Sequence, residues 1–146
     1  MGNKFAFQNE ELTHEILAAA IEVHKCLGPG LLESAYQFCL LSELEDRGLK
    51  SRQEVAVPLI YKNKKLDCGF RIDFLIEDTI VVELKSVETL LPIHESQILT
   101  YLRLMNKQIG LLVNFNVSML KSGIRRCVLK ASDTLSSSGQ GPGNSR

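Results

Sequence analysis

The sequence predicts an α/β fold with three α/β/α layers, in which helices cover both faces of a central mixed β-sheet. Two stretches with apolar residues at helical spacing precede three predicted strands, and a third helix and two further strands follow them. The nearly unbroken apolar run from Ile109 to Phe115 is typical of a buried strand. Because it follows a helix that itself follows a strand, we expect a parallel crossover and therefore a mixed sheet.

Composition narrows the class of protein. The 146 residues, of which 45% are hydrophobic and 23% charged, predict one globular domain with its own core. The 17 basic and 17 acidic residues balance, which argues against a tight, non-specific polyanion binder. No apolar run reaches transmembrane length and no signal peptide is evident, so we expect a cytoplasmic protein with no membrane partner. Four cysteines without a CxxC pair are expected to be free core thiols.

The first half of the chain predicts two helices. Residues 1–11 form a lead-in, and Thr13 is the expected N-cap of the first helix. Gly28-Pro29-Gly30 must end that helix, because proline cannot continue it. A second helix is predicted from Leu31 to Arg47, with Gly48 closing it.

The remaining elements follow from turn signals and periodicity. One strand is predicted from Glu54 to Tyr61, and Pro58 places it at a sheet edge or a bulge. The lysines of the turn Lys62-Asn63-Lys64 are expected to be solvated, with contact to a nucleic-acid backbone as the less favoured alternative. A third helix is predicted from Pro92 to Asn106, and a final strand from Gly123 to Lys130.

Charged residues interrupt a predicted hairpin at the centre of the chain. The apolar strands Phe70–Ile76 and Ile80–Val87 are joined by a polar three-residue loop. Pairing across this loop makes Asp73 face Glu83, with Cβ atoms about 5 Å apart. Because strand side chains alternate, Lys85 projects from the same face as Glu83. Two carboxylates and an ammonium group therefore converge on one small patch.

This patch predicts a site for a divalent cation. Two buried carboxylates repel each other unless positive charge lies between them. Oxygen ligands of this kind suit Mg²⁺ or Mn²⁺. Lys85 could then hold or deprotonate a water, or stabilise charge growing on a phosphate. The alternative is a buried ion pair in which Lys85 only neutralises Glu83, although buried ion pairs stabilise poorly relative to apolar residues.

Three motifs carry a resemblance to a nuclease family. Asp73 followed by Glu83-Leu84-Lys85 resembles the signature of the PD-(D/E)XK superfamily. The stretch Gly30-Leu31-Leu32-Glu33-Ser34-Ala35-Tyr36 fits the pattern that names the GxxExxY group, and Gln97-Ile98-Leu99-Thr100-Tyr101 resembles the QxxxY element of RecB-like nucleases. The resemblance spans about Leu12 to Leu129. It implies a restriction-endonuclease-like fold with an αβββαβ core.

The resemblance also implies an activity and a set of site residues. It implies a nuclease that hydrolyses phosphodiester bonds with Mg²⁺ or Mn²⁺ as cofactor, on a nucleic-acid partner for which DNA is favoured over RNA. Asp73, Glu83 and Lys85 would be catalytic. The metal would be held by Asp73 and Glu83, with the main-chain carbonyl of Leu84 and, through water, Glu33.

Other residues would position the substrate. Gln97 and Tyr101 are uncharged donors suited to orienting a phosphate backbone. Tyr36 is interpreted first as a packing aromatic and is also a candidate for substrate positioning. The predicted domain covers residues 12–131, and the Ser/Gly-rich tail 132–146 is predicted to be disordered.

Three other classes of function stay open at this point. The first is a catalytically silent module that binds nucleic acid or protein on a nuclease-like fold, since a fold alone does not fix a function. The others are a phosphoesterase acting on small molecules and a purely structural partner protein. The chain shows no separate target-recognition domain, so a homo-oligomer or an accessory recognition subunit is expected to supply recognition.

Overall fold

The computed structural model describes residues 4–130. Its helices are α1 (Lys4–Leu27), α2 (Glu33–Asp46) and α3 (Pro92–Met105). Its strands are β1 (Ser51–Ala56), β2 (Leu59–Tyr61), β3 (Lys64–Leu66), β4 (Arg71–Ile76), β5 (Ile80–Lys85), β6 (Ile109–Asn114) and β7 (Ile124–Val128). A short 3₁₀ helix, Leu120–Gly123, precedes β7.

A mixed sheet of five strands forms the middle layer, in the order β1-β4-β5-β6-β7. Its neighbouring strands are antiparallel except for β5 and β6, which are parallel and are joined through α3. Strands β2 and β3, which lie between β1 and β4 along the chain, form a separate antiparallel hairpin. The predicted αβββαβ core is therefore present as α2, β1, β4, β5, α3 and β6, and the α/β fold is confirmed.

Two hydrophobic clusters lie on the two faces of this sheet. On one face, α1 and α2 contribute buried residues that include Tyr36 and Leu40. On the other face, α3 contributes Ile98 and Leu102. A Cβ atom added at Gly110 of β6 would lie 2.9 Å from the side chain of Ile98, so glycine allows α3 to pack closely on the sheet. This packing fixes α3 above the strands that carry the charged residues.

The first helix begins earlier than predicted. It starts at Lys4, well before Thr13, so the prediction of Thr13 as N-cap is wrong. Thr13 is buried inside the helix, and its hydroxyl has no hydrogen-bond partner among residues 4–130. Asn9 is buried and Leu12 packs against the core, so the buried face already begins before Thr13. Tertiary packing therefore decides where this helix starts, and local capping preference does not.

The strand predictions need two corrections. The strand predicted from Glu54 to Tyr61 is broken at Val57 and Pro58, so that β1 joins the main sheet and β2 joins the hairpin. Val57 donates its main-chain N–H to the carbonyl of Phe70 at 2.9 Å, whereas proline has no N–H to continue the ladder. The last strand is shorter than the predicted range 123–130, because a 3₁₀ turn occupies its beginning. The predicted edge position of β1 is confirmed.

The cysteines are all free thiols, but they are not all in the core. Only Cys127 is buried, while Cys26 and Cys68 are exposed and Cys39 is half-buried. The expectation of core thiols is wrong for Cys26 and Cys68, since the former lies in the last turn of α1 and the latter in the loop after β3. Between residues 4 and 130, no helix is long and apolar enough to cross a membrane. The predicted tail, residues 132–146, lies outside the described residues, and the domain limits stay a prediction.

Candidate active site

The hairpin of β4 and β5 opens at the end that carries the two acids. Strand pairing runs from the turn as far as Phe74 and Val82, in the register that the sequence predicted. Beyond that point, carboxylate oxygens take the place of main-chain acceptors. The N–H of Asp73 donates to Oε1 of Glu83 at 2.8 Å, and the N–H of Leu84 donates to Oδ2 of Asp73 at 2.7 Å. These bonds hold the two acids side by side.

Alternation along β5 directs the charged side chains toward α3. Val82 and Leu84 pack in the cluster of α1 and α2, whereas Val81 packs in the cluster of α3. Because side chains alternate along a strand, Glu83 and Lys85 point to the same side as Val81. This is the common face that the sequence predicted.

Burial and repulsion raise the pKa values of both acids. Glu83 is 8% exposed, and burial followed by the charge of Asp73 raises its pKa from 4.5 to about 8. The N–H of Asp73 and the ammonium of Lys85 lower the pKa of Glu83 but do not outweigh burial. Burial also raises the pKa of Asp73, and the charges of Glu54 and Glu33 add to that shift. A cation between the acids would remove this penalty.

Lys85 is half-buried at the end of β5. Its ammonium forms no salt bridge with any carboxylate of residues 4–130, although its charge lowers the pKa values of Asp73 and Glu83. The alternative of a buried ion pair between Lys85 and Glu83 is therefore wrong. The main-chain carbonyl of Lys85 accepts the N–H of Phe115 at 2.9 Å, which fixes the strand end to the neighbouring strand.

Two exposed carboxylates lie around the central pair. Glu33 is the first residue of α2, and its charge raises the pKa values of both central acids. Glu54 lies between Gln53 and Val55, which pair with Phe74 and Ile72 on either side of Asp73. It has a φ of 51° and accepts a hydrogen bond from Gln37 at 2.8 Å. Sequence reasoning missed Glu54, because an alternating strand pattern gives no sign of this backbone distortion. In the part of the chain that the structure describes, no group of three or more His, Cys, Asp or Glu side chains is arranged to hold a metal ion.

The loop before α2 is tied to the end of β5. The hydroxyl of Tyr36 donates to the carbonyl of Gly28 at 2.6 Å and accepts the N–H of Leu31 at 3.1 Å. The hydroxyl of Ser86 donates to the carbonyl of Leu31 at 2.6 Å. These bonds set the position at which α2 begins, and therefore the position of Glu33.

The environment of Tyr36 differs from the one expected for a substrate-positioning residue. Tyr36 is fully buried, and its ring stacks on Phe115 with 4.3 Å between the ring centroids. Both bonds of its hydroxyl go to the loop backbone, so this group is not presented to a substrate. Tyr36 therefore stabilises the loop between α1 and α2.

Helix α3 brings Gln97 and Tyr101 to the charged face. Burial and then the charge of Glu83 raise the pKa of Tyr101, while the side chain of Gln97 beside the phenol lowers it. Gln97 is exposed and Tyr101 is 8% exposed. His94 caps the start of the helix, since its Nδ1 accepts the N–H of Leu91 at 2.9 Å. Tyr101 packs in the same cluster as Val81, so the predicted pair lies on the face of the sheet to which Glu83 points.

Comparison with known families places most of the chain in one superfamily. A family model described as the PD-(D/E)XK nuclease superfamily matches residues 10–127. The chain belongs to the PD-(D/E)XK nuclease superfamily. The resemblance predicted from the motifs is confirmed at this level, while assignment to the GxxExxY group stays a prediction. Searches among curated proteins and among solved structures found no match.

The residues that fit the PD-(D/E)XK signature are the ones gathered at the open end of the hairpin. Asp73 and Glu83 are joined by hydrogen bonds, and Leu84 connects Glu83 to Lys85. In an extended strand the N–H and carbonyl of one residue point to the same side. Because the N–H of Leu84 reaches Asp73, its carbonyl also faces β4, beside the two carboxylates.

A residue outside the PD-(D/E)XK signature holds the segment that follows β5. Asn114 is 2% exposed and pairs with Lys85 across the parallel strands. Its Oδ1 accepts the N–H groups of Val87 and Asn116 at 3.0 and 3.2 Å, and its Nδ2 donates to the carbonyl of Val87 at 2.9 Å. Sequence reasoning missed this residue. A polar side chain at the end of an apolar strand is the signal that could have revealed it.

Proposed function

We propose that this chain is a metal-dependent nuclease that hydrolyses phosphodiester bonds in DNA. The observation that carries the proposal is the pair of Asp73 and Glu83, two acids held together by main-chain hydrogen bonds with raised pKa values. Membership of the PD-(D/E)XK nuclease superfamily supports nucleic acid as the substrate class. A divalent cation is the partner that would relieve the repulsion between these acids.

The donor atoms around the pair fit Mg²⁺ or Mn²⁺. The carboxylates of Asp73 and Glu83 and the carbonyl of Leu84 are oxygen donors, which these ions prefer. Glu33 lies at the rim and would act through a water molecule. Such ions keep several waters and need only one or two carboxylates, so a closed group of protein ligands is not required. The bound ion would lower the pKa of a water molecule and polarise the scissile phosphate.

The protein's own groups would guide the reaction. The ammonium of Lys85, which has no ion-pair partner in residues 4–130, would hold the attacking water and stabilise charge on the phosphate. The amide of Gln97 and the hydroxyl of Tyr101 would orient the nucleic-acid strand. Tyr36 and Ser86 would act indirectly, by fixing the loop that carries Glu33.

The charge balance of the chain limits how the substrate is held. A net charge of zero gives no sign of a broad basic surface, so we expect binding through a few local contacts. Recognition by a homo-oligomer or an accessory subunit stays a prediction, as do the cytoplasmic location and the preference for DNA over RNA.

Cleavage by the full chain tests the proposal. Labelled single-stranded and double-stranded DNA and RNA are incubated with the protein in Mg²⁺, in Mn²⁺ and in EDTA. We expect products with a metal ion, none in EDTA, and none with Asp73→Asn. If the wild type cuts no strand with either ion, the proposal is overturned in favour of the catalytically silent binding module.

A further inference from the structure

An apolar cleft of about 290 Å³ lies beside the candidate active site. Its walls come from α3, from β2 and from the segment before β4, and they include Leu59, Phe70 and Ile93. Gln97 and Tyr101 also line the cleft. Tyr101 packs in the same cluster as Val81, on the face of the sheet to which Glu83 points, so the cleft opens on that face. A strand held at the acids would therefore pass the mouth of this cleft.

The lining suits a flat heteroaromatic ring. The rings of Phe70 and Tyr101 lie 6.2 Å apart between centroids, at 37° to each other. Phe70 is 42% exposed and Ile93 is 65% exposed, so a large apolar surface is open to solvent. Ser96 and Thr100 add hydroxyl groups to an otherwise apolar wall. Aromatic faces with a few polar groups are the usual platform for an unpaired base.

Positive charge is concentrated next to the cleft. The segment that forms the β2–β3 hairpin leaves the cleft at Leu59 and returns to it at Phe70. Between them, Lys62, Lys64 and Lys65 are exposed and form no salt bridge with residues of the described chain. In a chain with no net charge, this cluster favours a polyanion over an apolar peptide as occupant of the neighbouring cleft.

We propose that the cleft binds one unpaired base of single-stranded DNA, with the lysines of the β2–β3 hairpin along its backbone. This inference rests on the proposed function, because it places the base next to the phosphate held at Asp73 and Glu83. Bases inside a duplex are stacked and paired, and extracting one costs a few kcal/mol. The cleft therefore selects single strands or frayed ends. Stacking tolerates every base, so sequence preference is weak.

Binding without cleavage tests this cleft. The probes are a labelled oligothymidine and a fully paired duplex of the same length, measured by fluorescence anisotropy with the full chain in EDTA. We expect tighter binding of the single strand and an affinity lower by roughly 5- to 150-fold with Phe70→Ala. Phe70→Tyr should retain binding, because it keeps the aromatic face. Phe38→Ala is the matched control, since Phe38 is a 78% exposed aromatic residue on α2.

Two further variants sharpen the test. Ile93→Ser changes an exposed wall residue without risk to the core, so it should weaken single-strand binding even if Phe70→Ala folds poorly. Replacing Lys62, Lys64 and Lys65 by Gln should reduce the salt dependence of binding, with a change in slope of about 0.7 for each phosphate that the lysines neutralise. The wall variants Phe70→Ala and Ile93→Ser should lower the affinity for the single strand more than the affinity for the duplex. Added salt should lower the affinity for both.

The outcomes separate this inference from the proposed hydrolysis. Equal affinity for duplex and single strand, or equal weakening in Phe70→Ala and Phe38→Ala, would overturn the cleft as a base site. A wild type that cuts DNA while Phe70→Ala cuts single strands at the full rate would overturn the cleft alone. A wild type that binds single strands through Phe70 but cuts nothing would overturn hydrolysis and support the cleft.

Discussion

Asp73 and Glu83 each bind the main chain of the opposite strand. The carboxylate of Glu83 accepts the N–H of Asp73 at 2.8 Å, and the carboxylate of Asp73 accepts the N–H of Leu84 at 2.7 Å. The two acids are thereby kept side by side. Burial and the charge of Asp73 raise the pKa of Glu83, while burial and the charges of Glu54 and Glu33 raise the pKa of Asp73. Without a cation, this arrangement lowers the stability of the protein. The same two carboxylates should bind a divalent cation.

The stability of the metal-free protein should depend on the ionisation of Glu83. Its pKa is about 8 in the folded protein against an ordinary 4.5, so the folded chain binds a proton that the unfolded chain has released. The contribution of Glu83 to the free energy of unfolding is therefore fully present below pH 4.5 and is lost as pH rises from 4.5 to 8. The loss should be on the order of a few kcal/mol. Asp73 adds to this trend and Lys85 reduces it.

Glu83→Gln tests the dependence on pH. Glutamine keeps an oxygen for the N–H of Asp73 but cannot ionise. The variant should therefore lose much less stability than the wild type as pH rises from 4.5 to 8, and it should be the more stable protein at pH 8. Urea unfolding in EDTA across this pH range measures both proteins. Parallel curves for the wild type and the variant would show that Glu83 does not titrate in this way.

A divalent cation should stabilise the wild type through the same acids. At a Mn²⁺ concentration of 100 times Kd, the gain in unfolding free energy is about 2.7 kcal/mol. Asp73→Asn keeps an acceptor for the N–H of Leu84 and removes one charge, so it should lose most of this gain. Asp46→Asn, at an exposed acid at the end of α2, should keep it. The measurement is the Tm in Mn²⁺ and in EDTA, and identical Tm values for the wild type would contradict a metal site.

Ser86→Ala should weaken metal binding more than it weakens the fold. Removing the 2.6 Å bond from Ser86 to the carbonyl of Leu31 costs about 1 kcal/mol of stability. Because this bond positions Glu33, Mn²⁺ affinity should fall by roughly 10-fold, the lower end of effects from residues that support a ligand. Isothermal titration with Mn²⁺ measures the affinity.

A matched control and a double variant isolate the effect of Ser86. Ser122→Ala removes a similar bond, from a hydroxyl to the carbonyl of Met119 at 2.9 Å, and should leave Mn²⁺ affinity unchanged. In a Glu33→Gln background, Ser86→Ala should cause little further decrease in affinity. Additive decreases would mean that Ser86 does not act through Glu33.

Gln97→Ala and Tyr101→Phe should reduce cleavage without changing stabilisation by Mn²⁺. Both side chains lie on α3, which packs on the face of the sheet to which Glu83 points, but neither is needed as a metal ligand in the proposed site. Gln108→Ala, at an exposed glutamine after α3, serves as the control. The measurements are the cleavage rate and the Tm with metal. Full activity in the double variant would remove this helix face from the mechanism.

The sequence predicted the central hairpin and its register because both depend on local rules. A polar three-residue loop between two apolar strands fixes which residues are opposed, and Asp73 therefore meets Glu83. Alternation then places Lys85 on the side of Glu83. The order of helices and strands also predicted the mixed sheet, since a helix between buried strands implies a parallel crossover.

The sequence could not predict features that depend on residues distant along the chain. Ser86 bonds to Leu31 and Asn114 bonds to Val87, and neither bond follows from periodicity. The positive φ of Glu54 arises inside a stretch that alternates like an ordinary strand. Thr13 resembles a helix cap, but packing extends the helix past it. Tertiary structure decides each of these positions.

Cleavage of DNA by the wild type and by Lys85→Met, measured beside Tm in Mg²⁺, tests the central claim most directly. Methionine keeps the apolar stem of Lys85 and deletes its charge. No salt bridge within residues 4–130 is broken, so the variant should fold normally. We expect metal-dependent cleavage by the wild type and a rate lower by roughly 10²- to 10⁴-fold in the variant, with similar Tm values. A folded Lys85→Met that cuts at the wild-type rate would contradict the catalytic assignment.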